Sequence, residues 1–371
     1  MIDHEHFIRQ TLKLARKGIG KTATNPLVGA ILVKVENGEG RIIAKGYHTG
    51  YGKPHAEVEV IRRAKRMGVT DFSNAILYVN LEPCCHHGKT PPCTDLIIQE
   101  KIPHVVFGTP DPFKAVSGKG AAQLTAAGIK VEYGFLENVC IEVNKIFFKH
   151  IRTQLPWVTL KFAQSLDGKI ATASGDSKWI SCESSRRYVH QLRTEYDAVL
   201  VGAQTVIKDN PQLNVRLTKG RDPKRIIVDG RLRIPLTANV ISDKKASNTI
   251  ILTAKNSNRK KIDQLRKKGV HVYEFPANKF KIDLKAALKK ILKEEKIASI
   301  FAEGGSLMHG ELLKSKLADD VIVFIAPKII GSGIPSVTGE LTKTIGKAVK
   351  LKLSSVKPID ADIVIQARIV P

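Results

Sequence analysis

The sequence predicts two α/β domains in tandem, on three observations. The chain has 371 residues, more than one hydrophobic core comfortably serves. Short apolar strands alternate with helical patterns, punctuated by Gly and Pro turns, as expected of sheets flanked by helices. The alternation stops at Leu155-Pro156 and then restarts. This places a short junction at residues 150–156, with domains over 1–150 and 151–371.

In the first domain, Phe7, Ile8, Leu12, Leu14 and Ala15 recur at helical spacing and predict a helix over residues 4–18. Residues 28–35 read as a buried strand and 42–46 as its hairpin partner. A helix over 55–66 stops at Gly68, and a strand follows at 75–80. Then come a short helix at 94–101, a strand at 105–107, a helix at 121–127 ending at Gly128, and a strand at 129–133. One helix over about 137–152 closes the unit. In the second domain, a strand at 157–163 precedes a helix at 183–193 and apolar strands at 198–201, 225–228 and 249–253. After lysine-rich helices come a strand at 299–302, a Gly-Gly turn, a helix reaching Leu317, and late strands at 321–326 and 362–368. There is no internal repeat and no low-complexity linker.

Composition excludes several classes. Hydrophobic residues make up 43% of the chain, too many for wholesale disorder. No apolar run approaches the length that crosses a bilayer. The start, Met1-Ile-Asp-His-Glu-His-Phe7, has neither a basic nor an apolar leader region, so a cytoplasmic protein without a membrane partner is expected. The five cysteines include three within ten residues, which favours metal or thiol chemistry over a disulfide framework. The formal net charge of +25 suits phosphate-bearing ligands or nucleic acid. Much of the excess is lysine between Lys255 and Lys296, in patterns that read as solvated helical faces. No RNA-stacking motif or basic tail accompanies it.

The strongest chemical signal is a set of four residues. Pro54-His55-Ala56-Glu57 opens a predicted helix, so His55 can reach a metal while Glu57 faces a water on it. Further on, Cys84 and Cys93 can supply two thiolates, Cys93 at a helix start that favours the anion. One His and two Cys leave a zinc position open, as a catalytic site requires. A water there is acidified to near neutral pH. The alternative is a closed structural site with Cys85, His86 or His87 as fourth ligand, which would have no use for Glu57.

This pattern resembles the cytidine deaminase superfamily, whose signature joins H-x-E to P-C-x-x-C. Here eight residues separate Cys84 from Cys93. The insertion His86-His87-Gly88-Lys89-Thr90-Pro91-Pro92 resembles the bifunctional deaminase/reductase family of riboflavin biosynthesis, as do Asn25-Pro26-Leu27-Val28-Gly29 and Gly46-Tyr47-His48. The resemblance implies that Glu57 is catalytic, that His55, Cys84 and Cys93 hold zinc, and that Asn25, His48, His86 and Lys89 contact a phosphoribosyl pyrimidine. Serine usually follows the first cysteine in that family; Cys85 stands there.

In the second domain, Glu303-Gly304-Gly305-Ser306 lies between a predicted strand and helix, where backbone amides can cradle phosphate. No G-x-G-x-x-G occurs in a suitable place, so a Rossmann fingerprint is absent. Residues 165–171, 175–180, 202–205 and 209–211 resemble the reductase domain of the same family, in the same domain order. The resemblance implies a cytidine-deaminase-like α/β/α domain followed by a dihydrofolate-reductase-like domain that uses NADPH. It also implies that Ala163, Trp179, Thr205, Asp209 and the run Gly305, Ser306, Leu307, Met308, His309, Gly310 and Glu311 hold that cofactor. Ser177, Arg193, Leu213, Arg216 and Glu303 would hold the substrate, Arg193 and Arg216 through forked bonds to a ribose phosphate. A small-molecule enzyme assembled as a homodimer or homotetramer, with no nucleic-acid partner, is the resulting expectation. Two other readings remain. A tRNA or cytosine deaminase with a basic accessory domain would suit the charge, and a pseudo-deaminase would bind partners through its lysines.

Overall fold

The structure, a computed structural model, describes residues 2–87 and 91–370. It divides into two compact units, Met1–Gln154 and Leu155–Pro371.

In the first unit, Asp3 caps α1 (His4–Ala15) by accepting from the His6 N–H. β1 (Gly29–Glu36) and β2 (Glu39–Tyr47) form a hairpin through Asn37-Gly38. Both turn residues have positive φ, the geometry that two-residue hairpins favour and Asn-Gly accepts readily. The remaining elements are α2 (Ala56–Arg66), β3 (Ala75–Val79), α3 (Cys93–Gln99), β4 (His104–Phe107), α4 (Lys119–Ala126), β5 (Lys130–Tyr133), α5 (Glu137–Val143) and α6 (Lys145–Thr153). Among the described residues the sheet order is β2-β1-β3-β4-β5. β1 runs antiparallel to both neighbours; β3, β4 and β5 are parallel.

Successive strand residues face opposite sides of a sheet, and the core divides accordingly. Leu32, Leu77 and Val105 pack with Val60 and Ile97 on one face. Ile31, Val33, Tyr78 and Val106 pack with Ile8 and Leu12 on the other. The result is a three-layer α/β/α unit. The single helix expected over 137–152 is two, broken at Asn144. That side chain accepts from the Leu27 N–H (2.7 Å) and donates to the Leu27 carbonyl (3.0 Å). Asn144 thus joins the helices to the segment before β1.

The second unit contains β6 (Trp157–Ser165), β7 (Lys169–Thr172), α7 (Glu183–Glu195), β8 (Ala198–Gly202), α8 (Ala203–Asp209), β9 (Lys224–Val228), α9 (Asn239–Ser242), β10 (Thr249–Ala254), α10 (Arg259–Lys267), β11 (His271–Phe275), β12 (Ala277–Asn278), β13 (Lys281–Ile282), α11 (Leu284–Glu295), β14 (Ser299–Ala302), α12 (Ser306–Lys314), β15 (Asp320–Ala326), β16 (Gly333–Pro335), β17 (Lys350–Ile359) and β18 (Asp362–Val370). Among the described residues its main sheet has nine strands, ordered β11-β10-β9-β8-β14-β6-β15-β18-β17. The strands from β11 to β15 are parallel, and β18 and β17 close the edge antiparallel. Apolar clusters cover both faces. Functional side chains concentrate at the carboxyl ends of β8, β9 and β14, where open α/β sheets hold ligands.

Eight elements here go beyond the sequence expectation: β7, α8, α9, β11, β12, β13, β16 and β17. β11 and β17 carry charged residues among the apolar ones, and most of β17 is exposed. β7 and α8 are too short for a periodic signal. The lysine-rich segment behaves as read: Ile262, Leu265, Ala287, Leu288 and Ile291 are buried on α10 and α11, and the lysines face water. No helix among the described residues is long and apolar enough to cross a membrane.

Candidate functional site

Three donor groups converge in the first unit. His55 is the N-cap of α2, Cys93 begins α3, and Cys84 lies in the segment after β3. His55 Nδ1 stands 3.3 Å from Cys93 Sγ and 3.4 Å from Cys84 Sγ. All three donor atoms lie within 4.8 Å of one another. The Cys93 backbone N–H also points at Cys84 Sγ (3.4 Å), which favours charge there. The Cys84 thiol is held well below its usual range, first by its hydrogen bond with Cys93 and then by His55. His55 is raised to about 9, first by its bond to Cys84. These are shared protons, and a divalent ion between the groups would displace them. A buried N/S/S set of this kind fits zinc.

Glu57 lies in the first turn of α2 and is 4% exposed. Burial pushes its carboxyl up to about 6. Its Oε2 has no hydrogen-bond partner among the described residues, an arrangement that is costly unless a ligand or water completes it. Cys85 is turned away: its thiol donates to the Ala115 carbonyl (3.7 Å). The exposed ring of His86 packs edge-on against Phe113 at 5.5 Å. Among the described residues the cluster therefore holds three ligands, and the closed four-ligand alternative is not built.

A cavity of about 360 Å³ opens onto the cluster, lined among others by Asn25, His48, His55, Glu57, Cys84 and His86. The tautomer of His48 follows from its partners. A carbonyl can only accept, so Nδ1–H donates to Pro54 O (3.0 Å). Nε2 then accepts from the Asn25 amide (3.0 Å). Burial also lowers the His48 pKa, in the direction of the neutral ring. Asn25 is thereby oriented, with its amide oxygen left to accept from a ligand. Lys89 lies outside the described residues. Sequence reasoning missed Glu82 and Asp111. Glu82 accepts from the N–H groups of Asp111, Gly118 and Ala121 (3.1, 3.0 and 3.1 Å) and pins the loop that carries Phe113. Its place just before Cys84 was the available signal.

The second unit holds two cavities. One, of about 530 Å³, is lined by Ala163, Ser177, Trp179, Arg193, Arg216 and Glu303 among others, and also by His309. The other, of about 590 Å³, is lined by Ser306, Leu307 and Met308. They share Ile170, Ser177, Thr205, Asp209 and Gly305 as a common wall. Gly305 is open to this space: only Thr205 Oγ1, at 3.8 Å, lies near the position of a Cβ. It caps α12, whose first N–H groups have no intrahelical acceptor. An extended dinucleotide fits such a paired cavity with a helix N-terminus at its waist.

Several expected contacts are placed differently. Arg193 is buried, and its forked edge bonds Glu303 (Nε–Oε1 2.6 Å, Nη2–Oε2 3.1 Å). Lys161 Nζ adds a second cation 3.9 Å from Glu303 Oε2. Burial opposes charge on Glu303, but Arg193 and Lys161 still hold its pKa below the usual range. Arg193 therefore does not offer its fork to a phosphate, and Arg216, whose Nη1 donates to Asn214 Oδ1 (3.2 Å), is the more accessible cation. Leu213 is a core residue and lines neither cavity. Gly310 packs on Thr338, whose carbonyl would lie 1.8 Å from a Cβ, and so serves close packing. Glu311 is paired with Lys281 Nζ at 2.8 Å. Neither Gly310 nor Glu311 lines a cavity.

With this geometry in place, the relatives are informative. Residues 1–109 match the cytidine and deoxycytidylate deaminase zinc-binding region, and residues 156–365 match the RibD C-terminal domain. The chain is 43% identical to riboflavin biosynthesis protein RibD of Actinobacillus pleuropneumoniae, over 97% of this chain and 93% of that protein. It is equally similar to the Aquifex aeolicus RibD, at 43% over 97% of each. Among solved structures, Acinetobacter baumannii RibD superposes with a TM-score of 0.86 at 33% identity, covering 99% of both chains. The Thermotoga maritima diaminohydroxyphosphoribosylaminopyrimidine deaminase/5-amino-6-(5-phosphoribosylamino)uracil reductase gives 0.84 at 38%, with the same coverage. The chain belongs to the RibD family and is a bifunctional enzyme of riboflavin biosynthesis, with a zinc-dependent deaminase unit and an NADPH-using reductase unit.

Proposed function

We propose that residues 1–150 deaminate 2,5-diamino-6-(5-phosphoribosylamino)pyrimidin-4-one and that residues 151–371 reduce the product to 5-amino-6-(5-phosphoribitylamino)uracil. The observation that carries the first step is the partnerless Glu57 Oε2 in a cavity that also holds His55 and Cys84. Zinc held by His55, Cys84 and Cys93 supplies the acidity that makes a water nucleophilic near neutral pH. Glu57 takes one proton of that water on Oε2 and gives it to the ring nitrogen, then carries the second, from the hydroxyl now on the ring carbon, to the amino group, which departs as ammonia. Asn25, fixed by His48, orients the pyrimidine, and His86 and Lys89 are assigned to its ribose phosphate.

In the second step the ribose opens to an imine, whose C1′ would take hydride from a bound NADPH and whose nitrogen would take a proton from water. The chain contributes position and charge. Glu303, held by Arg193 and Lys161, fixes the substrate beside Ser177, and Arg216 meets the phosphate. Ala163, Trp179, Thr205, Asp209 and the residues from Gly305 to His309 face the cofactor.

The test is direct. The purified enzyme with the diaminopyrimidine should release one ammonia per substrate, and adding NADPH should then consume one equivalent. Ammonia release from RNA oligomers, with none from the small pyrimidine, would reverse the assignment. A homo-oligomer is also part of the proposal. Leu351, Leu353 and Val356 are exposed on β17, the edge of the main sheet, and such edges invite pairing. Sedimentation of the native enzyme as a monomer would remove that part.

A further inference from the structure

The first unit carries a groove that neither reaction uses. It holds about 850 Å³ and runs along β2, the edge of the five-stranded sheet. Among the described residues it shares no lining residue with the zinc cavity. Two glycines bring the helices close enough to wall it. A Cβ at Gly46 would lie 2.8 Å from the Val60 nitrogen and 2.9 Å from the Ala56 carbonyl of α2, and one at Gly29 would lie 2.1 Å from the Thr11 carbonyl of α1. The apolar part of the lining is Leu14, Ile42 and Ile43, all half-buried, and Met67 stands exposed beside them.

Four exposed cations surround the groove, Lys17, Lys45, Arg63 and Arg66, against one acid, Glu59. They come from both sides of the sheet edge. Lys45 is the register partner of Ile31 and so stands on that residue's face, the α1 side, and Lys17 follows α1 directly. Arg63 and Arg66 are three residues apart on α2, which makes them neighbours on its surface. None of the four has an ion pair or a side-chain hydrogen bond among the described residues. Lys65, in the same turn of α2, differs: it holds Glu100 at 2.6 Å. A second copy of the chain is a poor occupant, because an isologous contact would set the four cations against themselves. An added strand is a poor one too. The ladder of β2 with β1 shifts register at Leu32/Val33 and leaves Ile43 as a bulge, and a bulged edge resists pairing.

We propose that this groove binds an organic polyphosphate of the nucleoside triphosphate class. Four unpaired cations spread over both lips call for an extended anion, and a chain of phosphates reaches them all. The two arginine forks and the two ammonium groups hold it. The apolar lining takes the base, with Met67 as a contact that adapts to its shape. The volume lies in the range of small-molecule sites. The inference is independent of the reactions assigned to the two units.

Titration calorimetry with ATP, inorganic tripolyphosphate and adenosine tests it without any turnover. The native enzyme should bind ATP most tightly and adenosine least. Arg63→Gln with Arg66→Gln should weaken ATP and tripolyphosphate by about ten- to hundredfold, as expected of lost charged hydrogen bonds. Lys45→Gln should act in the same direction by a smaller factor. Met67→Ser should weaken ATP and leave tripolyphosphate within about twofold. All these residues are exposed, so the variants should melt as the native enzyme does and keep both activities. ATP binding unchanged in the double variant and in Lys45→Gln would place the nucleotide elsewhere and overturn the proposal. Tripolyphosphate binding as tightly as ATP would overturn the nucleotide class. If the native enzyme binds neither polyphosphate, and the double variant sediments as a smaller species than the native enzyme, the groove is a contact between copies and the proposal falls.

Discussion

The two sites are built on opposite plans. In the deaminase unit the chemistry sits in two short stretches, residues 55–57 and 84–93, and the reacting groups are unusual ones: an imidazole, two thiolates and a buried acid with an open oxygen. In the reductase unit ordinary residues act from positions more than a hundred apart, as Arg193 and Glu303 do. A site that holds a metal concentrates its signal in a few ligands. A site that positions a cofactor and a substrate spreads it over many weak contacts. The first should therefore fail by loss of a single atom's function, and the second by loss of structure.

The sharpest way to break this contrast is Glu57→Ala. Removing a positioned proton carrier should lower ammonia release by about 10²–10⁴-fold, while NADPH oxidation on the deaminated substrate continues at the native rate. Loss of both activities in a folded protein would show that the units do not divide the work. Glu303→Ala should act through stability instead. It leaves Arg193 and Lys161 buried without their shared carboxylate, and breaking a buried pair costs about 3–5 kcal/mol. Both tryptophans, Trp157 and Trp179, lie in the second unit, so intrinsic fluorescence follows the melting of that unit alone. The variant should melt earlier by fluorescence and still release ammonia at low temperature.

A smaller effect is expected from acid. Burial lowers the pKa of His309 to about 4, and burial followed by Arg193 lowers that of His190 to about 4 as well. Above pH 6.5 each ring is neutral in both folded and unfolded chains, so neither affects stability. As the pH falls below 6.5 the unfolded chain takes up protons that the folded one refuses. Stability of the second unit is therefore lost between pH 6.5 and about 4, with no further loss from these groups below that. For the more deeply buried His309 this amounts to about 3 kcal/mol at most. Denaturant midpoints by fluorescence at pH 7.5 and 5 measure it; equal midpoints would mean that these rings charge freely in the fold.

The same contrast governs what the sequence reveals. The strands of the first unit and the apolar strands of the second follow from apolar runs bounded by Gly and Pro. The zinc cluster was legible because His, Glu and Cys at these spacings have few other reasons to coincide. Asn144 was not legible as a break, since nothing local announces that its side chain binds Leu27, 117 residues away. Nor was the pairing of Arg193 with Glu303, because two charged residues far apart in sequence carry no mark of contact. β17 escaped because its residues are mostly exposed, so no buried face writes a pattern. Phe280 shows the same limit: its neighbour Arg231 lies on another turn, and only the fold brings the ring and the guanidinium together.

The smallest expected effect is the most pointed check on the metal site. Cys85 follows a ligand directly and replaces the serine usual in the family, so a third thiol could in principle compete for the ion. The structure turns it outward, with Sγ donating to the Ala115 carbonyl. A serine hydroxyl can make that same contact. Cys85→Ser should therefore leave zinc content at one per chain and change stability by no more than about 0.5 kcal/mol. Ammonia release should stay within about twofold, the range that such a change in free energy allows. Cys84→Ser, by contrast, should lose the metal, because a hydroxyl is a far poorer zinc ligand than a thiolate. Zinc analysis of the two variants side by side decides the matter: if Cys85→Ser also loses zinc, the adjacent thiol is part of the site, and the three-ligand geometry is wrong.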